Sequence, residues 1–145
     1  MRRASFKCRP VVRGLAKGEA LVTRQPISFW GGLNPRTGVI IDKRHELYGK
    51  SVAGKILIFP YAKGSVSATT ALLEAARCSS APVAIVSLEI DPVVAVAAFL
   101  AEKLYGKVMP IVDKPELNPL EVVKSGDIVR VDAISGVVEV LHARD

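Results

Sequence analysis

Apolar and polar positions alternate in the first part of this chain and give way to unbroken apolar runs further on, and that change of rhythm sets the expected architecture. Ser5-Phe6-Lys7-Cys8-Arg9 alternates, predicting a strand with Phe6 and Cys8 turned inward, and Glu19 to Thr23 predicts another. The stretch SFWGGLNPRTGVI that follows Ile27 carries Gly31-Gly32 and Asn34-Pro35, which predicts a long loop leading into a short strand at Val39 to Ile41. Lys55 to Phe59, Pro82 to Val86 and Val108 to Val112 are apolar without alternation, and each gap between them is long enough for a helix. Such strands are buried on both faces, as in a parallel sheet covered by helices and joined by right-handed crossovers.

The first helix is predicted over about Val66 to Arg77, with Ala68, Leu72, Ala75 and Ala76 on one stripe. The second has clear ends. Asp91 is an N-cap, Pro92 suits the first helical position, and Gly106 can stop the helix in the left-handed conformation. Its sequence, PVVAVAAFLAEKLY, is apolar nearly all round until Glu102, which predicts burial on more than one side, within the domain or beneath a partner. Asp127 to Asp132 and Val137 to Leu141 alternate across Ser135-Gly136 and read as a hairpin. Together these elements predict a single α/β domain of β/β/α type over residues 1–145. It has a short, mostly parallel central sheet with crossover helices, additional strands and the C-terminal hairpin.

Composition agrees with this picture. A chain of 145 residues can bury about two-thirds of its unfolded surface in one core. Half of it is apolar and 6% aromatic, so aliphatic side chains must fill that core. The longest strongly apolar stretch, Val93 to Ala101, falls far short of the roughly 20 residues that span a bilayer, and the arginines of MRRASFKCRP have no apolar segment behind them. A cytoplasmic protein without membrane association is expected. The formal charge of +6 resides in Arg2, Arg3, Lys7, Arg9, Arg13 and Lys17, since the first 17 residues hold no acid and the remainder is balanced. A basic arm suits nucleic acid, an acidic subunit or an anionic substrate. The exposed aromatics, recognition helix or named motif that nucleic acid asks for are missing, so no nucleic-acid partner is expected. Cys8 and Cys78 lie far apart, and His45 and His142 are the only histidines, so no zinc knuckle, redox pair or iron–sulfur ligand set can be drawn. Both thiols are expected to be buried and His45, between Arg44 and Glu46, to lie at the surface.

The candidate chemistry lies in FPYAKGSVSATTALLEAA, residues 59–76, where a strand ends and a helix begins. Ligands of open α/β domains gather at such ends. The first N–H groups of a helix have no intrahelical partner and carry the positive end of its dipole, so they hold anions. Gly64 allows close backbone approach, and Lys63 adds a point charge. A hydroxyl here has two readings. Ser65 or Ser67 caps the helix, worth about 1 kcal/mol, or Ser65 serves as a general base whose alkoxide those donors stabilise. A nucleotide P-loop is excluded because G-x-x-x-x-G-K-[ST] is absent, and a Ser-His-Asp hydrolase because neither G-x-S-x-G nor a motif around either histidine is present.

Several segments together resemble the small subunit, or swivelling domain, of the aconitase X family. They are Gly14-x-x-x-Gly18-Glu19, Pro26-Ile-Ser-Phe-Trp-Gly-Gly32, Asn34-Pro-x-Thr-Gly38, Gly49-x-Ser51-Val52-x-Gly54-Lys55, Lys63-Gly64-Ser65, Ala81-Pro82 and Asp91-Pro92. The resemblance runs from about Gly14 to Asp113, and SFWGG followed by KGS is its specific part. AVAAFLAEKLYGKVMP departs from it, being longer and less glycine-rich than the family's pattern. The resemblance implies a swivelling β/β/α fold and a large catalytic subunit that holds a [4Fe-4S] cluster. It also implies dehydration of a small anionic hydroxy acid, with iron acting on the departing hydroxyl while Ser65, as alkoxide, removes the proton from the adjacent carbon. Lys63, Gly64, Val66 and Ser67 are then the expected substrate contacts at the turn. Ser28 is expected to line the site from the SFWGG loop facing the large subunit, the alternative being an exposed turn pinned by a buried Trp30. Arg36 is set to meet a carboxylate or phosphate, the alternative being a solvated loop arginine. Family members with separate small and large chains act on mevalonate 5-phosphate, giving trans-anhydromevalonate 5-phosphate for isoprenoid synthesis, whereas fused or bacterial relatives act on cis-3-hydroxyproline. A standalone chain of this length favours the first, and the chain alone is expected to be inactive. A non-catalytic partner-binding module and a nucleic-acid-binding module are the readings from other classes.

Overall fold

Two-sided burial accounts for the unbroken apolar runs. In a computed structural model, which describes residues 3–64 and 66–141, the chain begins with β1 (Arg3–Lys7), β2 (Arg9–Val12) and β3 (Leu15–Val22). A two-residue strand β4 (Ile27–Ser28) runs into a single helical turn α1 (Phe29–Gly32), broken by non-helical angles at Trp30 and Gly31. Then come β5 (Ile56–Phe59), β6 (Ala62–Lys63), α2 (Ser67–Arg77), β7 (Ala84–Ser87), α3 (Pro92–Tyr105) and β8 (Ile111–Asp113). A short α4 (Pro119–Val122) precedes the hairpin strands β9 (Ile128–Asp132) and β10 (Val137–Leu141). Strands β3, β5, β7 and β8 are parallel neighbours, with Leu57 opposite both Leu21 and Ile85 and Val86 opposite Val112. Ile56, Ile58, Val86 and Val112 point to one core with Phe6, Val129 and Val138, and Leu57, Phe59, Ile85 and Ile111 point to the other, beneath α2 and α3. Every second residue thus serves a different core, which is why no polar residue interrupts the runs.

The sheet order is β1-β10-β9-β3-β5-β7-β8-β2. Its two ends, β1 and β2, are consecutive in the chain with Cys8 alone between them, so the sheet curls until its edges meet in one N-terminal run. Two contacts seal the junction. The Cys8 N–H donates to the Gly136 carbonyl at 2.9 Å, and Arg9 grips the fully buried Asp113 carboxylate through Nε and Nη2 at 2.8 and 2.9 Å. The Ile90 N–H is the third donor to that carboxylate, at 3.0 Å. Closing a sheet in this way removes the open edges that invite aggregation.

The helices follow the pattern expected of them. In α2 the stripe Ala68, Leu72, Ala75 and Ala76 is buried together with Ala71. Helix α3 is capped by the Asp91 carboxylate, which accepts from the Val93 N–H at 3.0 Å, has Pro92 in its first turn, and ends at a left-handed Gly106. Of the two covers expected for it, the domain itself supplies one side only: Val94, Ala97, Ala98 and Ala101 face α2 and the sheet, but Val96 is 47%, Phe99 56% and Leu104 60% exposed. Small alanines on the inner face let α3 lie close to the sheet and α2, and the larger side chains are left outside.

Three expectations are corrected. No strand forms at Val39 to Ile41; isolated bridges, Leu33 to Ile40 and Val39 to Ser51, hold the loop instead. Cys8 and Cys78 are half-buried rather than buried. Burial, reinforced by the carboxylates of Asp113, Asp132 and Glu116, raises the Cys8 thiol to about 11. His45 is half-buried rather than a free surface residue: its Nδ1 accepts from the Leu47 N–H at 3.0 Å, which leaves Nε2–H to donate to the Pro26 carbonyl at 3.1 Å.

Candidate active site

Chain leaving the C-terminal end of β5 turns at Pro60, forms β6 and enters α2. The turn is pinned from below. Phe29 is fully buried and packs edge-on against Phe59, ring centroids 5.7 Å apart. The Pro60 carbonyl accepts from the buried Ser87 hydroxyl at 2.9 Å and from the Leu88 N–H at 3.2 Å. Above it, β4 and β6 pair in parallel and set Ser28 beside Lys63. The SFWGG and KGS segments, well separated in sequence, are therefore one structural unit.

Ser65 lies outside the described residues; its immediate neighbours are described. Gly64 has φ +127, a region that favours glycine, and a Cβ there would come no nearer than 3.9 Å to the Ser28 Oγ. Glycine is needed at this position for its backbone conformation, not for lack of room. Helix α2 starts from Val66, which is 75% exposed and makes no side-chain cap, and the first turn contains no acid. The dipole end of α2 is accordingly not neutralised by its own residues. The Thr69 hydroxyl donates to the Val93 carbonyl at 2.7 Å and ties this end to α3. Ser67 is half-buried at the first helical position. The Ser28 hydroxyl donates to the Trp30 carbonyl at 3.0 Å, bracing its own loop.

The sequence-derived residues do not all converge. Ser28, Lys63 and Gly64 come together, with Val66 and Ser67 following at the start of α2. Arg36 does not join them. Its loop is turned toward α2, where the Ser80 hydroxyl holds the Pro35 carbonyl, and its charge acts on Glu74, whose carboxyl is held low first by a hydrogen bond from Arg77. Glu74 lies about 10 Å along the helix from Ser67 at 1.5 Å per residue. Trp30 is 59% exposed, so the loop is pinned by Phe29 and not by the tryptophan.

Two clefts flank the turn. An apolar one of about 370 Å³ runs between Trp30, Leu33 and Pro35 and the α2 residues Thr70, Ala71 and Glu74. A polar one of about 490 Å³ lies between Lys63 and the loop carrying Asp42, Arg44 and His45. Arg44 had no signal beyond its place in a charged run that reads as solvated. Beside it, Glu46 accepts from the Thr23 hydroxyl and the Arg24 N–H, and these bonds, the hydroxyl's first, hold its carboxyl below the ordinary range. A larger apolar cleft of about 750 Å³, between Val11, Val96, Phe99 and Val108, holds no group suited to acid–base work beyond Glu102.

Residues 5–140 match the family model described as the aconitase X swivel domain. The chain belongs to that family. The match extends beyond both ends of the segment expected from motifs and takes in the divergent α3. A protein of Methanosarcina mazei, named phosphomevalonate dehydratase small subunit, is 43% identical over 136 residues, 94% of this chain and 90% of the relative. Among solved structures, the crystal structure of Thermococcus kodakaraensis aconitase X in its holo-form superimposes with a TM-score of 0.86 at 38% identity, covering 96% of this chain and 99% of that one. A relative solved by solution NMR gives 0.84 at 40% identity, covering 96% and 100%.

An aconitase X swivel domain raises the question of a cluster, and the donors among the described residues do not fit one. Among the described residues no three His, Cys, Asp or Glu side chains gather into a metal site. Cys8, with its thiol pushed up to about 11, is a poor thiolate ligand.

Proposed function

We propose that this chain is the small subunit of a phosphomevalonate dehydratase, a hydro-lyase completed by a larger subunit, and that Ser65 is its general base. End-to-end likeness carries the reading: relatives bearing that name are 36% to 43% identical over most of both chains. In this reading Ser65 removes the proton from the carbon next to the one that loses its hydroxyl. An alcohol is too weak an acid to be an alkoxide in water, so the site must favour the anion. Lys63 and the N–H groups opening α2, with no acid beside them, supply that field. The [4Fe-4S] cluster implied by the family belongs to the larger subunit, and no step of this chain runs through it.

The surface around the turn supports a covering partner. Trp30, Tyr61 and Val66 are 59%, 52% and 75% exposed, and all three adjoin the Ser28–Lys63 pair in sequence. A ring of apolar side chains around a charged centre excludes water once a second surface closes on it. No helix among the described residues is long and apolar enough to cross a membrane, and in this reading the assembly works in the cytoplasm.

Co-expression with the larger subunit is the test. The purified complex should dehydrate phosphomevalonate, and neither chain should do so alone. Ser65→Ala should assemble normally with turnover lowered by at least about 100-fold. Absence of a complex would overturn the assignment, and a complex that ignores phosphomevalonate but consumes cis-3-hydroxyproline would overturn the substrate.

A further inference from the structure

The polar cleft beside Lys63 is built from three separate segments: the loop before β4, the 42–48 loop and the end of β6. Its cations are unspent. Neither the Arg44 guanidinium nor the Lys63 ammonium makes an ion pair or side-chain hydrogen bond among the described residues. Gln25 adds a neutral donor, because its Oε1 accepts from the Glu46 N–H at 2.9 Å and its amide N–H groups meet no acceptor among the described residues. His45 has both ring nitrogens engaged with backbone and serves as a wall. Asp42, the acid in the lining, turns its Oδ1 to the Arg44 N–H at 3.0 Å.

We propose that this cleft receives the phosphate monoester of the substrate, with Arg44 and Lys63 as its charged contacts and Gln25 as a third donor. The inference rests on the reading above that the Lys63–Gly64 turn receives substrate. A guanidinium fork matches two phosphate oxygens, and an ammonium supplies a point charge beside it. Lys63 and Ser65 are two residues apart, so their Cα atoms are separated by at most about 7 Å. Phosphomevalonate carries its phosphate and carboxylate at opposite ends of one carbon chain, so a phosphate held at Lys63 leaves the other half of the molecule free to extend toward Ser65. Arg44 thereby takes the role expected of Arg36, which faces Glu74 instead.

Two measurements test this. In the assembled enzyme Arg44→Gln should raise KM for phosphomevalonate by about tenfold or more, the loss of one charge-assisted contact. The effect on kcat should be much smaller, and the inhibition constant of inorganic phosphate should rise in parallel. Lys43→Gln, an equal loss of charge one residue away and outside the cleft lining, should change neither. An unaltered KM in Arg44→Gln, or an equal rise in Lys43→Gln, overturns the proposal. Independently, the isolated chain titrated with inorganic phosphate should show NMR amide shifts centred on Gln25, residues 42–45 and Lys63–Gly64, weakened in Arg44→Gln. Shifts confined to the basic residues of β1–β3, or none, overturn it. If the complex is inert toward phosphomevalonate yet the chain binds phosphate at Arg44, the substrate reading has failed and the anion site stands.

Discussion

Removing Trp30 tests whether the exposed ring around the turn is an interface. A tryptophan buries up to about 250 Å² when fully covered, and Trp30 is 59% exposed, so docking has about 150 Å² left to cover. At about 25 cal/mol per Å² this is worth up to about 4 kcal/mol, and about 2 if half is covered. Trp30→Ala should therefore weaken association with the larger subunit by about 30-fold or more. Titration of labelled small subunit into the larger one, followed by fluorescence anisotropy or calorimetry, reads this directly. The monomer should be nearly unaffected, because the side chain contributes little to either core. Phe29→Ala is the contrast: fully buried against Phe59, it should cost about 3–5 kcal/mol of folding stability. Unchanged affinity in Trp30→Ala, with native melting, would refute the interface and leave Trp30 an incidental surface residue.

Arg9→Ala should lower the urea unfolding midpoint, since it leaves the buried Asp113 carboxylate with the Ile90 N–H as its remaining protein donor among the described residues, and an unchanged midpoint would remove the pair from the account. Gly64→Ala meets no atom closer than 3.9 Å but must hold φ +127, so a loss of about 1–3 kcal/mol by scanning calorimetry should come from backbone strain alone. Glu46 is held below its ordinary value, chiefly by the Thr23 hydroxyl. Its contribution is complete above the ordinary carboxylate range and is lost as pH falls through the lowered folded value. Acid unfolding of Glu46→Gln should lack that segment of pH dependence, and an identical profile would remove Glu46 from the account.

Much of the architecture was legible because local signals agreed with one another. The cap at Asp91, Pro92 behind it and Gly106 at the far end all mark the same helix. The runs at 55–59, 82–86 and 108–112 announced two-faced burial through their lack of alternation, and the parallel pairs follow it with starts displaced by one to three residues. What periodicity cannot carry is long-range placement. Nothing near Arg36 says that its loop leans on α2, and nothing near Arg44 says that its loop returns to Lys63. Both outcomes are decided by contacts distant in sequence, Ser80 to Pro35 in one case and His45 to Pro26 in the other. The one-sided burial of α3 has a related cause. An apolar helix meets one surface in its own chain, and sequence does not say whether the opposite face meets another.

The basic N-terminal segment shows how position decides what a charge can do. As composition it invited nucleic acid, an acidic subunit or an anionic substrate. In the fold Arg3, Lys7 and Arg9 lie on the two strands whose junction closes the sheet, and Arg9 is committed to Asp113. Part of the positive excess is thus structural: a buried carboxylate at the end of β8 requires a cation, and the strand that seals the sheet brings one. Arg44 and Lys63 belong to the balanced remainder of the chain and contribute nothing to its net charge asymmetry, yet beside the turn they are the cations left without partners among the described residues. In the proposal above the anion is drawn to charges left unpaired in a concave site, Arg44 on its loop and Lys63 at the end of β6, rather than to the arm.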